Sequence, residues 1–567
     1  MAGIAARILA FGELHFDADA SLLELPITSY RNAHVAHLPP DALRHPVRES
    51  LYYALALLAS DKPEAVARAA RILDRITRLQ CRSGPHSGLW PYFAEESVAQ
   101  APSVDINWAD FIGMGLAVCV QRYASALPAD LVGRCVAAVV SAADFIRRRN
   151  VDLEYTNVAM KGTFVVLVAA ELSDDAPGMR DYASDRFARL RSLILSQPIP
   201  AEYNSPAYAG VCLVAAHAIE ELVHDPHVRD GATRIVGHLW GQVVARFHAP
   251  SGELAGPHAR AYAPTLAELP GWLGPLIEYA TDGLHSYLAA GDELFAAVWP
   301  MVLSPRVPRQ ATLGLTKAVV SPRVESSVVV ASPHIERRLT TWLTPTFAIG
   351  SISFQDGWEQ RQNLIACWRS AAGRVAFARH RYMHDGRACC SGFFTSSQHR
   401  GSVSVGAFLG AGADEHILRP VDGVEAAFLG AVLEVDGRGD AVDLMINGIT
   451  LSADVPRVEV QVGDEILLTL RAVDMEMAME IESHDVAPGI VPPARVERQA
   501  FDRIRLMLPH YDGPRRPLRW TDFHRAASAY RLRVKTGDAL EESSIPSAPL
   551  PPELLTTAQL ELWAGSV

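Results

Sequence analysis

LSPRVPRQATLGLTKAVVSPRVESSVVVAS, residues 303–332, is where the periodicity of this chain changes. Pro305 and Pro308 bracket a short link over 304–308, because proline fixes φ and withholds a backbone N–H. The segments that follow, 312–320 and 325–332, are short and rich in β-branched residues, and both read as strands. What precedes the link has a different rhythm. From about residue 45 to 300 the apolar side chains return with the period of a helix.

Helices are predicted over 47–60, 63–80, 108–127, 131–149, 156–173, 178–196, 206–224 and 227–248, with two more between 266 and 300. Ser83-Gly84-Pro85, Leu127-Pro128, Gln197-Pro198 and Asp225-Pro226 separate them. Several are apolar on more than one side, the mark of a helix buried all round. Repeated helical hairpins with short links suit a double-layered (α/α) toroid, although ring closure is not itself written in a sequence.

Beyond the link, further strands are predicted over 336–343, 346–354, 361–369, 373–379, 401–409, 424–436, 441–452, 456–461 and 464–472. Gly, Asp, Asn and Pro punctuate them, as in stacked antiparallel sheets. The expected plan is multidomain α and β: an (α/α) toroid over 1–305, then an antiparallel β-sandwich over 306–567. The pattern weakens after about 480, and 510–551, rich in Pro and Arg, reads as a loop wrapping a surface.

With 567 residues, more than one core is required. The net charge of −12 argues against a nucleic-acid partner, which needs a basic field. A local cluster of Arg and His remains compatible with an anionic ligand. No apolar run reaches 18 residues, so no membrane span is expected. The first twenty residues make a poor secretory signal, so the expected location is cytoplasmic. The seven cysteines are irregularly spaced and none has zinc-ligand spacing. Cys389–Cys390 reads as a buried, inert pair or as a redox pair.

Four stretches set polar and aromatic residues beside apolar helices. The first holds Trp90, Tyr92, Trp108 and Asp110; its rings suit a sugar face or a core between hairpins. The second, Glu154-Tyr155-Thr156-Asn157, precedes an apolar helix, where Thr156 or Asn157 also suits an N-cap. The third runs from Glu202 through Tyr203, Asn204 and Ser205 to Tyr208; Ser205-Pro206 has the form of an N-cap followed by Pro at N1. The fourth carries His258, Arg260 and Tyr262 alternating in a loop. Trp358, in Gln355-Asp-Gly-Trp-Glu-Gln-Arg-Gln362, adds a further candidate face, with Gln360 and Gln362 beside it.

In plan and in these motifs the chain resembles the heparinase II/III-like polysaccharide lyases and the hyaluronate, chondroitin and alginate lyases built the same way. The resemblance implies an Asn against a uronate carboxylate, a Tyr opening a later helix, and a His with an Arg. Asn157 matches the first; Glu202, Ser205 and Tyr208 match the acidic-x-x-Ser-x-x-Tyr setting of the second; His258 and Arg260 match the third. Asn157 is followed by Val158 where many such enzymes have His, and no His-rich strand motif follows, so no metal or cofactor is expected. The implied reaction is β-elimination on an anionic, uronate-containing glycan. Asn157 and Arg260 meet the carboxylate, His258 or Tyr208 is the base, and Tyr208 is the acid. Tyr155, Glu202, Tyr203, Asn204, Tyr262 and Trp358 are the expected substrate contacts, beside the residues of the first stretch.

A glycoside hydrolase on the same toroid is the rival reading. It needs a carboxylate pair, for which Asp105, Asp110, Glu154 and Glu202 are available. A non-catalytic glycan binder would use the aromatics alone.

Overall fold

The computed structural model describes residues 2–27, 37–39, 42–101, 104–173, 178–287, 291–332, 335–410, 412–413, 420–485, 492–523 and 526–536. By its contacts the chain forms two compact units. One comprises Met1–Glu202, Pro206–Val244 and Glu268–Thr316; the other comprises Tyr203–Ser205, Ala245–Ala267 and Lys317–Val567. The units are therefore not the two halves of a single cut near 305.

The first unit is helical. Its α-helices are α1 (Ala2–His15), α2 (Val47–Ala59), α3 (Pro63–Leu79), α4 (Trp108–Tyr123), α5 (Ala129–Arg149), α6 (Thr156–Leu172), α7 (Met179–Ser196), α8 (Ala209–Leu222), α9 (Pro226–Arg246), α10 (Leu273–Ala280), α11 (Val298–Leu303) and α12 (Arg309–Thr316). Contacts run from α2 to α4, α6 and α8, then to α10 and α11, and from α11 back to α2. That circuit closes the inner layer of an (α/α) toroid. Packed outside it, α3, α5 and α7 lean on α2, α4 and α6. α9 meets α7 where Gly231 faces Phe187, and meets α8 where Trp240 Nε1 donates to His217 Nε2 at 3.2 Å.

The two layers follow from composition. Fifteen consecutive residues of α6, Thr156–Ala170, are buried, and α4 is buried without a break from Trp108 to Val120 except at Phe111. On α3 only Ala65, Ala69, Ile72, Leu73, Ile76 and Thr77 are buried, a single stripe at helical spacing. Each large aliphatic side chain so buried contributes about 1.5–3 kcal/mol. The segment expected as a strand over 312–320 begins instead as α12, because Pro308 stands just before it and Ala311 and Leu315, four apart, bury one helical face.

The second unit is an antiparallel β-sandwich. An eight-stranded sheet runs, in spatial order, Phe354–Asp356, Gly392–His399, Ser402–Leu409, Ala527–Thr536, Met475–Asp485, Glu465–Leu470, Asp443–Ile446 and Ile449–Leu451. The ten-stranded sheet runs Arg457–Val460, Ala494–Ala500, Arg503–Arg519, Gly423–Asp436, Val375–His384, Leu364–Arg369, Phe347–Ile352, Ile335–Leu343 and Arg323–Ser332, with Arg387–Ala388 on the side. His380 of one sheet faces Tyr530 of the other, Nδ1 to OH at 2.9 Å. Met475, Met477, Met479 and Ile481 alternate inward with glutamates and Ala478 between them.

The Pro- and Arg-rich segment is not a wrapping loop as far as it is described. Arg503–Arg519 pairs with Gly423–Asp436 over its whole length, and Ala527–Thr536 lies inside the other sheet. The three prolines of Arg503–Arg519 are accommodated in part by register shifts between Ala426 and Phe428 and between Leu429 and Gly430. The rest of that segment, 537–551, lies outside the described residues. None of the seven cysteines forms a disulfide; Cys389 and Cys390 are both buried, and burial pushes the Cys389 thiol up to about 11.

Candidate functional site

The inner helices α2, α4, α6 and α8 start at one end of the ring. Arg48, on the first turn of α2, lies over the Trp108 ring that opens α4, 5.3 Å from its centroid. Asp110, also on the first turn of α4, faces Gly162 of α6 so closely that a Cβ there would stand 2.4 Å from Oδ1. Tyr155 and Tyr208 occupy the N-cap positions of α6 and α8. Helix N-termini carry partial positive charge, so this end favours anions.

Asn157 is central here. Its Nδ2 donates to Glu202 Oε1 at 2.9 Å and Oε2 at 2.8 Å, and its backbone N–H donates to Oε2 at 2.9 Å. Glu202 thus caps α6 from 45 residues away, with the charge complementary to the helix end. One turn on, Lys161 is fully buried; its Nζ lies 3.4 Å from Asn157 Oδ1 and 2.9 Å from the Phe111 ring centroid. Burial pushes this ammonium down to about 7 against the pull of Asp110. Burial likewise pushes Asp110 up to about 6, opposed chiefly by Arg149 at 3.4 Å. The sequence signal for Lys161 was a lone charge in the apolar run 158–170. It was not among the expected site residues.

Other expected residues serve the architecture. Trp90 is 1% exposed and donates from Nε1 to the Ile76 carbonyl at 2.9 Å, which makes it a core residue. Tyr92 OH donates to Asp105 Oδ2 at 3.1 Å, and its ring meets Trp108 at 4.1 Å. Ser205 is not an N-cap: α8 begins at Ala209, and Ser205 Oγ donates to the Arg260 carbonyl at 2.6 Å. Neither Thr156 nor Asn157 is the N-cap of α6, since both lie within it.

The second unit holds another constellation. His258 Nδ1 lies 2.8 Å from the Asn204 carbonyl oxygen, so in the neutral ring Nδ1 carries the proton and Nε2 the lone pair. Burial pushes this imidazole down to about 4, against the Asn204 carbonyl, so it is neutral at pH 7. Asn204 adopts a left-handed conformation (φ 45°) and donates from Nδ2 to the Ala255 and Pro257 carbonyls at 2.7 and 2.8 Å. The His258 backbone exchanges hydrogen bonds with Gln362. Two residues on, Arg260 Nε donates to Gln360 Oε1 at 2.7 Å, and its guanidinium lies 5.1 Å from the Trp358 ring centroid. Arg361 lies over the same ring at 5.2 Å and pairs with Asp356 at 3.3 Å. Tyr203, fully buried, accepts from Gln355 Nε2 at 3.1 Å. Tyr262 is exposed. The structure thus groups Asn157 with Glu202 in one unit, and His258 with Asn204, Arg260 and Trp358 in the other.

Among the described residues, Asp17, Glu24 and His45 form a group with ligand atoms within 4.8 Å of one another. His45 there is already bonded to Asp17 at 3.0 Å and to Glu95 at 2.8 Å.

The second unit thus carries a neutral His258 two residues from Arg260, and a half-buried Trp358 ring with two guanidiniums over it. The family profile "Domain of unknown function (DUF8769)" matches residues 29–281. No curated protein matches. Among solved structures the chain is similar to a Paenibacillus xanthan lyase, at 10% identity and a TM-score of 0.42, covering 99% of this chain and 58% of that one. It is similar to heparinase III at 8% identity and a TM-score of 0.41, covering 94% of this chain and 85% of that one. A structure titled glycoside hydrolase is similar at 10% identity and a TM-score of 0.29, covering 85% and 90%. The chain therefore spans 58% of the length of the xanthan lyase. At these scores the likeness fixes neither substrate nor reaction.

Proposed function

We propose that the protein is a carbohydrate-active enzyme that cleaves a uronate-containing glycan by β-elimination. The observation that carries this reading is the neutral, carbonyl-oriented His258 two residues from Arg260, whose guanidinium lies over Trp358. Elimination needs a base for the proton beside the carboxylate and a cation for the enolate charge that develops there. In this reading Arg260 meets the carboxylate, His258 or Tyr208 takes the proton, Tyr208 returns one to the leaving oxygen, and Trp358 offers a sugar face. Asn157 is a second carboxylate partner, which requires it to exchange Glu202 for the substrate.

The carboxylates that a hydrolase would use are largely committed. Glu202 holds Asn157, Asp105 holds Tyr92 and the Asn107 backbone, and Asp110 is fully buried beside Arg149. The hydrolase reading keeps one supporting observation: burial raises Asp110 to about 6 and raises Glu154 as well, the direction a general acid needs.

The deciding experiment follows ultraviolet absorbance and new reducing ends together on a panel of uronate-containing glycans. The expected result is absorbance rising with reducing ends, from a conjugated unsaturated uronate, and loss of both in Tyr208→Phe. Reducing ends without absorbance overturn the elimination and send the search to Asp110 and Glu154.

A further inference from the structure

His258 and Arg260 lie on a stretch of chain that the second unit holds from both sides. On one side the Ala259 N–H donates to the Tyr203 carbonyl at 3.1 Å, and Ser205 Oγ donates to the Arg260 carbonyl at 2.6 Å. On the other, the His258 N–H donates to the Gln362 carbonyl at 3.0 Å and the Gln362 N–H returns a bond to the His258 carbonyl at 3.1 Å. The Ala261 N–H adds a bond to the Gln360 carbonyl at 2.8 Å. The backbone that carries the imidazole is therefore fixed. What it leaves open is the rotation of the ring and the nitrogen that holds the proton.

Asn204 bears on both. Its carbonyl oxygen is 2.8 Å from His258 Nδ1, and a carbonyl can only accept, so Nδ1 donates. Its side-chain Nδ2 donates to the Ala255 and Pro257 carbonyls at 2.7 and 2.8 Å, which uses both amide hydrogens. The 3.4 Å between Asn204 Nδ2 and His258 Nδ1 is then a contact between two donors, not a bond to an Nδ1 lone pair. One residue thus grips the chain just before His258 with its side chain, and the ring itself with its carbonyl. The residue type suits this place. With φ at 45°, the position is left-handed, a conformation that L-residues other than Asn and Asp seldom enter. Gly enters it but brings no amide. Asp enters it but sets oxygens where two carbonyls need donors. Asn combines the backbone conformation with two N–H groups.

We propose that Asn204 is the positioning residue of His258: its left-handed backbone aims a carbonyl at Nδ1, its amide holds residues 255–257 in place, and Nε2 is left with the lone pair. The inference rests on the reading of His258 as a base of the elimination, and names what prepares it. With the proton on Nε2 instead, the ring would offer a substrate no lone pair there, and Nδ1 is turned to the protein. Other groups act on the ring. Burial first, and then the Arg246 guanidinium, keep a second proton off it, while the Asn204 and Leu254 carbonyls favour one. Among the described residues only the Asn204 carbonyl is hydrogen-bonded to the ring, so it is the group that chooses between the two nitrogens.

The test uses the full chain with its histidines labelled with nitrogen-15, and His258→Gln to assign the signal. Long-range proton–nitrogen spectra report which imidazole nitrogen is protonated, independently of any turnover. The wild type is expected to show His258 with the proton on Nδ1; the reverse form, or a mixture, overturns the proposal without any variant. Asn204→Gly keeps the left-handed conformation and removes the amide. It is expected to bring in the form protonated on Nε2, and to lower kcat about ten- to a hundredfold with KM within about twofold. Asn204→Ser, which keeps one donor, is expected to lie between the wild type and Asn204→Gly on both readouts, and serves alone if the glycine variant does not fold. An unchanged Nδ1–H signal in the folded variant overturns the proposal, since the paired backbone or the Leu254 carbonyl then holds the ring. If the proton moves as expected but no glycan yields absorbance with the wild type, Asn204 still sets the ring and the elimination falls. If elimination is observed and the proton moves while kcat holds, the positioning role alone falls.

Discussion

Four buried histidines of the second unit should make the protein acid-sensitive well above the carboxylate range. Burial pushes His248 and His258 down to about 4, and His380 and His510 down to about 3, from an ordinary 6.5. The folded chain therefore binds fewer protons than the unfolded chain below pH 6.5, and stability falls as pH falls through that value. Between pH 7 and 5.5 each histidine costs about 1.2 kcal/mol, a figure that hardly depends on the folded value because that value is so much lower. Together they cost about 5 kcal/mol. Glu253 opposes them: burial raises it to about 8, so it gains a proton on folding and returns about 2 kcal/mol over the same interval. The net loss is about 3 kcal/mol, a large share of the stability of an ordinary domain. Urea unfolding at pH 7.0 and 5.5 measures it directly. His510→Gln, which keeps a polar group toward Tyr382 and Ser528, should reduce the pH sensitivity by about 1.2 kcal/mol. A wild-type midpoint that does not move between the two pH values would refute the reasoning, and so would a variant with an unchanged slope.

The same substitution should act with opposite sign at two helical glycines. A Cβ on Gly210 would stand 2.2 Å from the Leu273 backbone nitrogen where α8 meets α10, so Gly210→Ala should destabilise by about 1–3 kcal/mol. Gly237 on α9 is exposed with nothing within 4 Å, so Gly237→Ala should stabilise by about 0.5–1 kcal/mol; thermal melts reporting shifts in one direction for both would contradict the ring closure. Glu202→Gln should lower stability by about 1–3 kcal/mol by weakening the cap on α6, and an unchanged urea midpoint would show that the carboxylate does not hold Asn157. Tyr208→Phe should cut turnover at least about a hundredfold, and retained turnover would remove Tyr208 from the chemistry.

Much of the fold was legible because its signals are local. The apolar runs of α4 and α6 and the single stripe of α3 announce inner and outer helices, while the prolines at 305 and 308 stand one short helix, α12, before the strands begin. The Met475–Asp485 strand was not read, because MEMAMEIE pairs strand alternation with good helix formers. The stretch from 510 on reads as loop because its prolines argue against a ladder, which the strand paired with Arg503–Arg519 accommodates with register shifts. The residue types of the candidate site were visible as well, but not their division between architecture and chemistry: Trp90 and Trp358 look alike in sequence, and only one of them is sealed in a core.

By itself the sequence determined the helical character of most of 45–300, the change to strands beyond it and which polar side chains interrupt the apolar runs, since period, breakers and propensity act over a few residues. Only the tertiary structure decided that α11 returns to α2, that residues 245–267 join the sandwich unit, that Glu202 caps α6, and that Lys161 is buried against Phe111 and Asn157. Each of these is a pairing between residues far apart in the chain. Such a pairing is selected by what the whole fold can bury and satisfy, and neither partner carries a local mark of the other.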